Sequence, residues 1–221
     1  ELITMIIAID GPAASGKSTT ARGVATRMGI TYLDTGAMYR AITLGLMEHG
    51  IPFRDLGAIK KFLNTVNIEF RNSNLGSKIF LNNRDVSGEI RSSTVTEKVS
   101  EVSAIGVIRE SMVQIQRRIG GNTDCVLEGR DIGTVVFPDA DFKFFLVADL
   151  EVRARRRLQD LDELGERQTI DEIKADIKRR DELDSTRDHS PLAKAKGAIE
   201  INTGVLTIDG QVEKIVNTIN Q

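Results

Sequence analysis

The sequence predicts an α/β fold in which a parallel sheet is covered by helices on both faces. Three observations predict it. Short, unbroken apolar runs alternate with segments of helical period; the first run leads straight into a glycine-rich turn and a helix; and a single stretch breaks the alternation with period two. The first run, Thr4–Ile9 (TMIIAI), suits a strand buried on both faces. Met5 within it is a candidate start, the sequence leaving open whether Glu1–Thr4 belong to the natural chain. Further strands are expected at Thr31–Leu33, Cys125–Leu127, Phe142–Val147 and Val205–Ile208. Helices are expected at Lys17–Met28, Ala37–Glu48, Glu151–Leu161, Ile170–Leu183 and Val212–Ile219. The stretch Val95–Ile119 places Val95, Val99, Val102, Ile105, Ile108, Met112, Ile115 and Ile119 on one stripe at three-to-four spacing, the mark of a long amphipathic helix.

From Val66 to Ser87 the period becomes two, as in NIEF and KIFLN with NSNLGS between, which reads as an antiparallel hairpin inserted into the α/β body. The organisation expected is a core of residues 1–63 and 93–221 with an inserted region at 64–92. Within the core, residues 158–169 contain the polar, glycine-bearing DLDELGERQ between two helices. This segment is either a mobile lid with its tip or an ordinary helix–helix turn.

Composition narrows the class. The 221 residues are 40% hydrophobic and 28% charged, which suits a globular domain and not a disordered chain. The lone cysteine, Cys125, leaves no intramolecular disulfide and reads as a small core residue. No apolar run reaches the roughly 18 residues of a membrane span, and no leader pattern suggests secretion. A net charge of −2 argues against a dedicated nucleic-acid binder. Yet 19 of the 30 basic residues are Arg, the better fork for phosphate and carboxylate, which hints at a small, highly charged ligand.

Residues 11–18, GPAASGKS, match G-x-x-x-x-G-K-[ST]. Gly11 and Gly16 let the backbone wrap a phosphate chain without Cβ clashes, so that loop amides donate to its oxygens. The following helix turns its positive end to the anion. Lys17 can reach the β- and γ-phosphates, and the Ser18 hydroxyl can ligate Mg²⁺. A phosphate loop says nucleotide, not reaction. A guanine-nucleotide switch would carry N-K-x-D, which is absent, and motor or transporter ATPases are longer. The remaining class is small kinases, which need a second anion site and positive charge to bridge the two.

Candidates for that second site follow the next strands. In Asp34-Thr-Gly-Ala-Met-Tyr-Arg40, Asp34 and Arg40 fall beyond a strand's carboxyl end, where such sheets bind ligands, although Asp34 or Thr35 would equally serve as a helix cap. Arg130 and Asp131 end the strand after Cys125 and either pair with each other or bind an acceptor. Arg153, Arg155, Arg156 and Arg157 crowd one helix, with Arg153 and Arg157 on one face, a self-repelling set unless a triphosphate is its counter-charge. Arg180, Asp184 and Arg187 share another face, either as acceptor ligands or as a solvated face with an Arg180–Asp184 ion pair.

With GPAASGKS, DTGAMYRA, DVSGEIRS, EGRDIGTVVFPDADFKFFL, RRDELDSTR and SPL in this order and spacing, the chain resembles the bacterial cytidylate kinase family from about Met5 to the C-terminus. The resemblance implies a five-stranded parallel sheet flanked by helices, an insert belonging to the acceptor region, and transfer of the ATP γ-phosphoryl group to CMP or dCMP with Mg²⁺. It assigns ATP to Gly11, Pro12, Ala13, Ala14, Ser15, Gly16, Lys17, Ser18 and Thr19. It assigns the acceptor sugar-phosphate to Thr35, Arg40, Arg130 and Arg187, cytosine to Ser100, Arg109 and Asp131, and the sugar to Arg180 and Asp184. Lys17, Arg153, Arg157, Arg180 and Arg187 would spread positive charge over the transferring group. The expected setting is a cytoplasmic monomer whose partners are small substrates, with neither nucleic acid nor membrane. Ser100 and Arg109 lie nine residues apart, about opposite each other on a straight helix, so joint action requires a break, expected at Gly106. The rivals are a kinase for another acceptor (UMP, AMP, dTMP or shikimate) and a non-catalytic nucleotide-sensing module.

Overall fold

The structure is a computed structural model that describes residues 4–73, 76–163 and 165–221. The chain begins with β1 (Ile6–Asp10), α1 (Lys17–Met28), β2 (Thr31–Asp34), α2 (Thr35–Glu48) and α3 (Leu56–Leu63). Then come β3 (Ile68–Ser73), β4 (Gly76–Leu81), β5 (Arg84–Asp85), α4 (Ser93–Ala104) and α5 (Gly106–Gly120). It ends with β6 (Cys125–Gly129), β7 (Phe142–Val147), α6 (Leu150–Glu163), α7 (Ile170–Thr186), β8 (Ile199–Asn202) and α8 (Ile208–Ile219). The expected turn residues Asn74 and Leu75, Leu164 of the expected lid, and Glu1–Ile3 lie outside the described residues. Residues 158–163 prolong α6.

Two compact units divide the chain, one of residues 1–32 and 120–221, the other Leu33–Ile119. The first unit is organised by a five-stranded parallel sheet of order β2-β6-β1-β7-β8, the expected fold. Every residue of β1 is buried, as an apolar central strand covered on both faces must be. Ile7 and Ile9 meet Ala21, Val24 and Ala25 of α1 and Val212 and Ile215 of α8 in one cluster with Phe144 and Leu146. Each fully buried aliphatic of this kind contributes roughly 1.5–3 kcal/mol. Cys125 is buried in β6, and burial pushes its thiol up to about 12.

The second unit holds the antiparallel sheet β3-β4-β5, in which a short third strand extends the expected hairpin. Its core runs from α2 (Met38, Ile42, Leu46) through Ile59 and Ile79 to Ile108 and Met112. Asp34 caps α2 by accepting from the Ala37 amide at 2.9 Å.

One expectation is corrected. The apolar run Val205–Ile208 is not a strand. Val205 is 78% exposed, and Thr207 caps α8 by accepting from the Gly210 amide. The fifth strand is instead Ile199–Asn202, an edge strand paired with β7, in which Ile201 is buried and Ile199 exposed. The break expected at Gly106 is present: the stripe Val95–Ile119 is two helices, parted where Ile105 adopts φ −72°, ψ 118°. Among the described residues no helix is long and apolar enough to cross a membrane.

Candidate active site

Residues 11–16 connect β1 to α1 as a tight loop. Gly11 is required by close approach, since a Cβ there would collide with the Leu146 carbonyl oxygen. Gly16 is required by its φ of +89°. Gly16 offers no side chain to cap α1, and no acidic residue occupies its first turn, so the helix's positive end is left to an anion. Ser18 and Thr19 are exposed.

The loop is braced from several directions. The Ala13 amide donates to Asp181 Oδ1 at 3.2 Å. Arg153 Nη1 donates to the Ala13 carbonyl at 3.1 Å and to Asp181 Oδ2 at 2.5 Å. Thr203 Oγ1 donates to the Ser15 carbonyl at 2.8 Å, and Arg156 in turn donates to Thr203. Thr20 Oγ1 donates to Gln211 Oε1 at 2.6 Å. The crowded arginines of α6 therefore differ in their surroundings. Arg153 is buried against the loop, Arg155 pairs with Glu151 in solvent, Arg156 holds Thr203, and Arg157 is half-buried.

Lys17 is only 5% exposed and folds back to donate from Nζ to the Pro12 carbonyl at 2.6 Å. Burial, helped by the like charge of Arg130, lowers its ammonium to about 7, against opposing pulls from Glu128, Asp184 and Asp10. Lys17 is thus within electrostatic reach of the residues that end β6 and of α7.

Arg130 and Asp184 form a mostly buried pair, Nε to Oδ2 at 2.7 Å, and Arg187 Nη1 approaches Asp184 Oδ1 at 3.4 Å. Burial opposes the charge of Asp184, but Arg130, then Arg187 and Arg180, outweigh it and hold its carboxyl below the usual range. The alternative of a solvated Arg180–Asp184 face is therefore set aside, since Asp184 is buried. Its ion-pair partners at these distances are Arg130, 54 residues away, and Arg187. Asp131 is buried after β6.

Sequence reasoning passed over Asp10, Asp181, Thr203 and Gln211 as site residues. Asp10 ends β1, is 3% exposed, and accepts from the Ile132 and Gly133 amides at 2.9 and 2.8 Å. A lone acid closing an apolar run directly before the phosphate motif was the signal available for it.

In the second unit Thr35 is buried at the start of α2, and Arg40 Nη1 donates to Thr96 Oγ1 at 2.8 Å. The break at Ile105 lets Arg109 turn back, so that its Nη1 donates to the Ser103 carbonyl at 2.9 Å while Ser103 Oγ donates to the Ser100 carbonyl at 3.1 Å. Ser100 and Arg109 are both buried, and the Arg109 guanidinium lies 5.2 Å from the Tyr39 ring centroid.

A parallel sheet whose first strand runs into a phosphate loop, with the half-buried Arg130 and the buried Asp131 just beyond the neighbouring strand, defines the class of phosphate-loop kinases. The shikimate kinase of Bacteroides thetaiotaomicron shares the fold at a TM-score of 0.50 and 11% identity, over 98% of this chain and 99% of that one. Residues 7–221 match the family model described as cytidylate kinase. A cytidylate kinase of Fusobacterium nucleatum is 48% identical over 98% of this chain and 96% of its own. One from Lactobacillus johnsonii is 46% identical over 98% and 94%. The chain belongs to the cytidylate kinase family.

Proposed function

We propose that the protein transfers the γ-phosphoryl group of ATP to CMP and dCMP, giving CDP and dCDP. The observation that carries the reading is the electrostatic reach between Lys17 of the phosphate loop and the Arg130–Asp184 pair. Family membership supplies the cytidine acceptor. An acceptor phosphate oxygen is already an anion, so no general base is required, and positioning with charge stabilisation supplies the rate. Lys17, Arg157, Arg180 and Arg187 bear on the transferring group, and Arg153 contributes by holding the loop through Asp181. Residues 11–19 bind ATP. Thr35, Arg40, Arg130 and Arg187 hold the acceptor's sugar-phosphate, Ser100, Arg109 and Asp131 its base, and Arg180 and Asp184 its sugar.

Mg²⁺ fits this residue set. Among the described residues no group of three or more His, Cys, Asp and Glu side chains forms a metal cage. Mg²⁺ on nucleotides is held mainly by phosphate oxygens and water, to which the exposed Ser18 adds a hydroxyl. The ion would neutralise charge on the β- and γ-phosphates. A nucleotide substrate suits a cytoplasmic enzyme.

Coupled ADP release measured against all ribo- and deoxyribonucleoside monophosphates and shikimate tests the reading. CMP and dCMP should lead by at least tenfold in kcat/KM. A different leading acceptor, or ATP consumption indifferent to any acceptor, overturns it. The role of Asp131 has its own test. Asp131→Ala should raise the KM for CMP about tenfold or more, the loss of a charged hydrogen bond, and leave that for ATP nearly unchanged. Equal movement of both would make Asp131 structural.

A further inference from the structure

We propose that Asp10 is a positioning residue for the acceptor side of this reaction, its carboxylate fixing the turn that follows Arg130 and Asp131. The inference rests on the kinase reading above. Asp10 is the last residue of β1, directly before Gly11, and pairs in register with Gly129 of β6. Each of its oxygens takes one amide, Oδ1 from Ile132 and Oδ2 from Gly133. These amides open the single π-helical turn Ile132–Val136, whose first carbonyl acceptor is that of Asp131, bonded by Val135 and Val136 at 2.9 and 3.1 Å. Asp10 therefore ties the strand that delivers the phosphate loop to the residues that end β6. Its bonds do not go to the loop, whose backbone has separate braces in Asp181, Lys17 and Thr203. Loss of the carboxylate should accordingly loosen the Arg130–Asp131 end and spare the nucleotide cradle.

A carboxylate in this place is not the choice that stability alone would favour. Burial pushes its carboxyl up to about 6, only partly offset by the Gly133 and Ile132 amides, with Asp131 raising it and Lys17 lowering it. The stem of Lys143 also approaches this turn at Gly133. Because the folded value lies above the ordinary one, the unfolded chain ionises first as pH rises from about 4 to 6, and the fold loses stability over that window. Above it the ionised carboxylate accepts both amides; protonated, it turns a donor toward one of them. A Cβ at Gly133 would stand in ordinary contact with Asp10 Oδ2, at 3.4 Å, and press on the Ala195 Cβ at 3.2 Å, so that Gly133→Ala shifts the turn Asp10 holds.

Asp10→Asn keeps the shape but sets an NH₂ against one of the two amides. The test is steady-state kinetics of wild type, Asp10→Asn and Gly133→Ala with CMP and ATP varied separately between pH 5.5 and 8. Turnover of CMP by the wild type tests the kinase reading, and the variant-to-wild-type ratios test Asp10. Both variants should lose about tenfold or more in kcat/KM for CMP at pH 8 while the KM for ATP stays within threefold. The ratio of wild type to Asp10→Asn should shrink as pH falls through 6, as the wild-type carboxyl takes up its proton. A wild-type kcat/KM for CMP in Asp10→Asn, equal losses toward CMP and ATP, or a ratio flat with pH overturns the proposal. If Asp10→Asn does not fold, the two ratios of Gly133→Ala decide alone.

Discussion

Lys17→Ala should lower turnover by roughly a hundredfold to a thousandfold, the scale set by removing one preorganised charge from a phosphoryl transition state. The argument begins with where the side chain sits. Lys17 is buried over the loop, bonded to the Pro12 carbonyl, with its ammonium lowered to about 7 by burial and by Arg130. Nucleotide phosphates carry counter-charge, so their binding should favour the charged ammonium and draw Nζ toward them. A variant keeping more than a tenth of wild-type kcat would sink the phosphate-loop reading. The same residue makes an independent forecast for stability. The unfolded lysine keeps its proton up to its ordinary value of 10.5, whereas the folded one sheds it above about 7. Between these values the unfolded state binds more protons, so the fold gains stability as pH rises. Urea melts of the ligand-free wild type should strengthen by about 2 kcal/mol from pH 7 to 9, at 1.36 kcal/mol per unit. Lys17→Ala should lack that rise and be no less stable than wild type at pH 7.

How much of this was legible depended on how far apart in sequence the cooperating residues lie. The phosphate loop is local, so eight consecutive residues announced it, and α1 begins and ends at Lys17 and Met28 as its periodicity required. The π-turn clamp was not legible, because Asp10 meets amides 122 and 123 residues away. Arg130 and Asp184 were each read as candidate acceptor ligands, but their pairing spans 54 residues and no spacing rule reaches it. The short edge strand β8 was missed for a different reason. Only one of its faces is covered, so IEIN is less apolar than the neighbouring VLTI, which attracted the assignment but supplies a short 3₁₀ turn and the Thr207 cap. The helix break came from a functional demand that Ser100 and Arg109 act together, not from the apolar stripe, which runs through Ile105 without interruption. Local chemistry thus marked the loop, whereas its braces through Asp181, Thr203 and Gln211 depend on tertiary proximity.

Asp184→Ala should affect stability and activity together. On a solvated helix face its loss would cost a few tenths of a kcal/mol. Instead Asp184 is buried and holds Arg130 at 2.7 Å with Arg187 beside it, their side chains 22% and 5% exposed. Removing one partner of such a pair leaves the other charge uncompensated, a loss of about 3 kcal/mol. Urea melts at pH 7 should show it, and a change of only a few tenths would mean that the pair is not buried in solution. The difference should narrow in acid. Asp184's carboxyl is held below its ordinary range, so the wild-type advantage is full above that range and disappears as pH falls through the lowered value. For activity, a freed Arg130 and a lost contact to the acceptor sugar should together cost about tenfold to a hundredfold in kcat/KM for CMP. Arg187→Ala should lose kcat as well, because the charge it faces shifts in the transition state. Steady-state kinetics of both variants with CMP and dCMP separate the roles. Near-wild-type kcat/KM for CMP in both would remove α7 from the acceptor site and leave the Arg130–Asp184–Arg187 cluster a structural one.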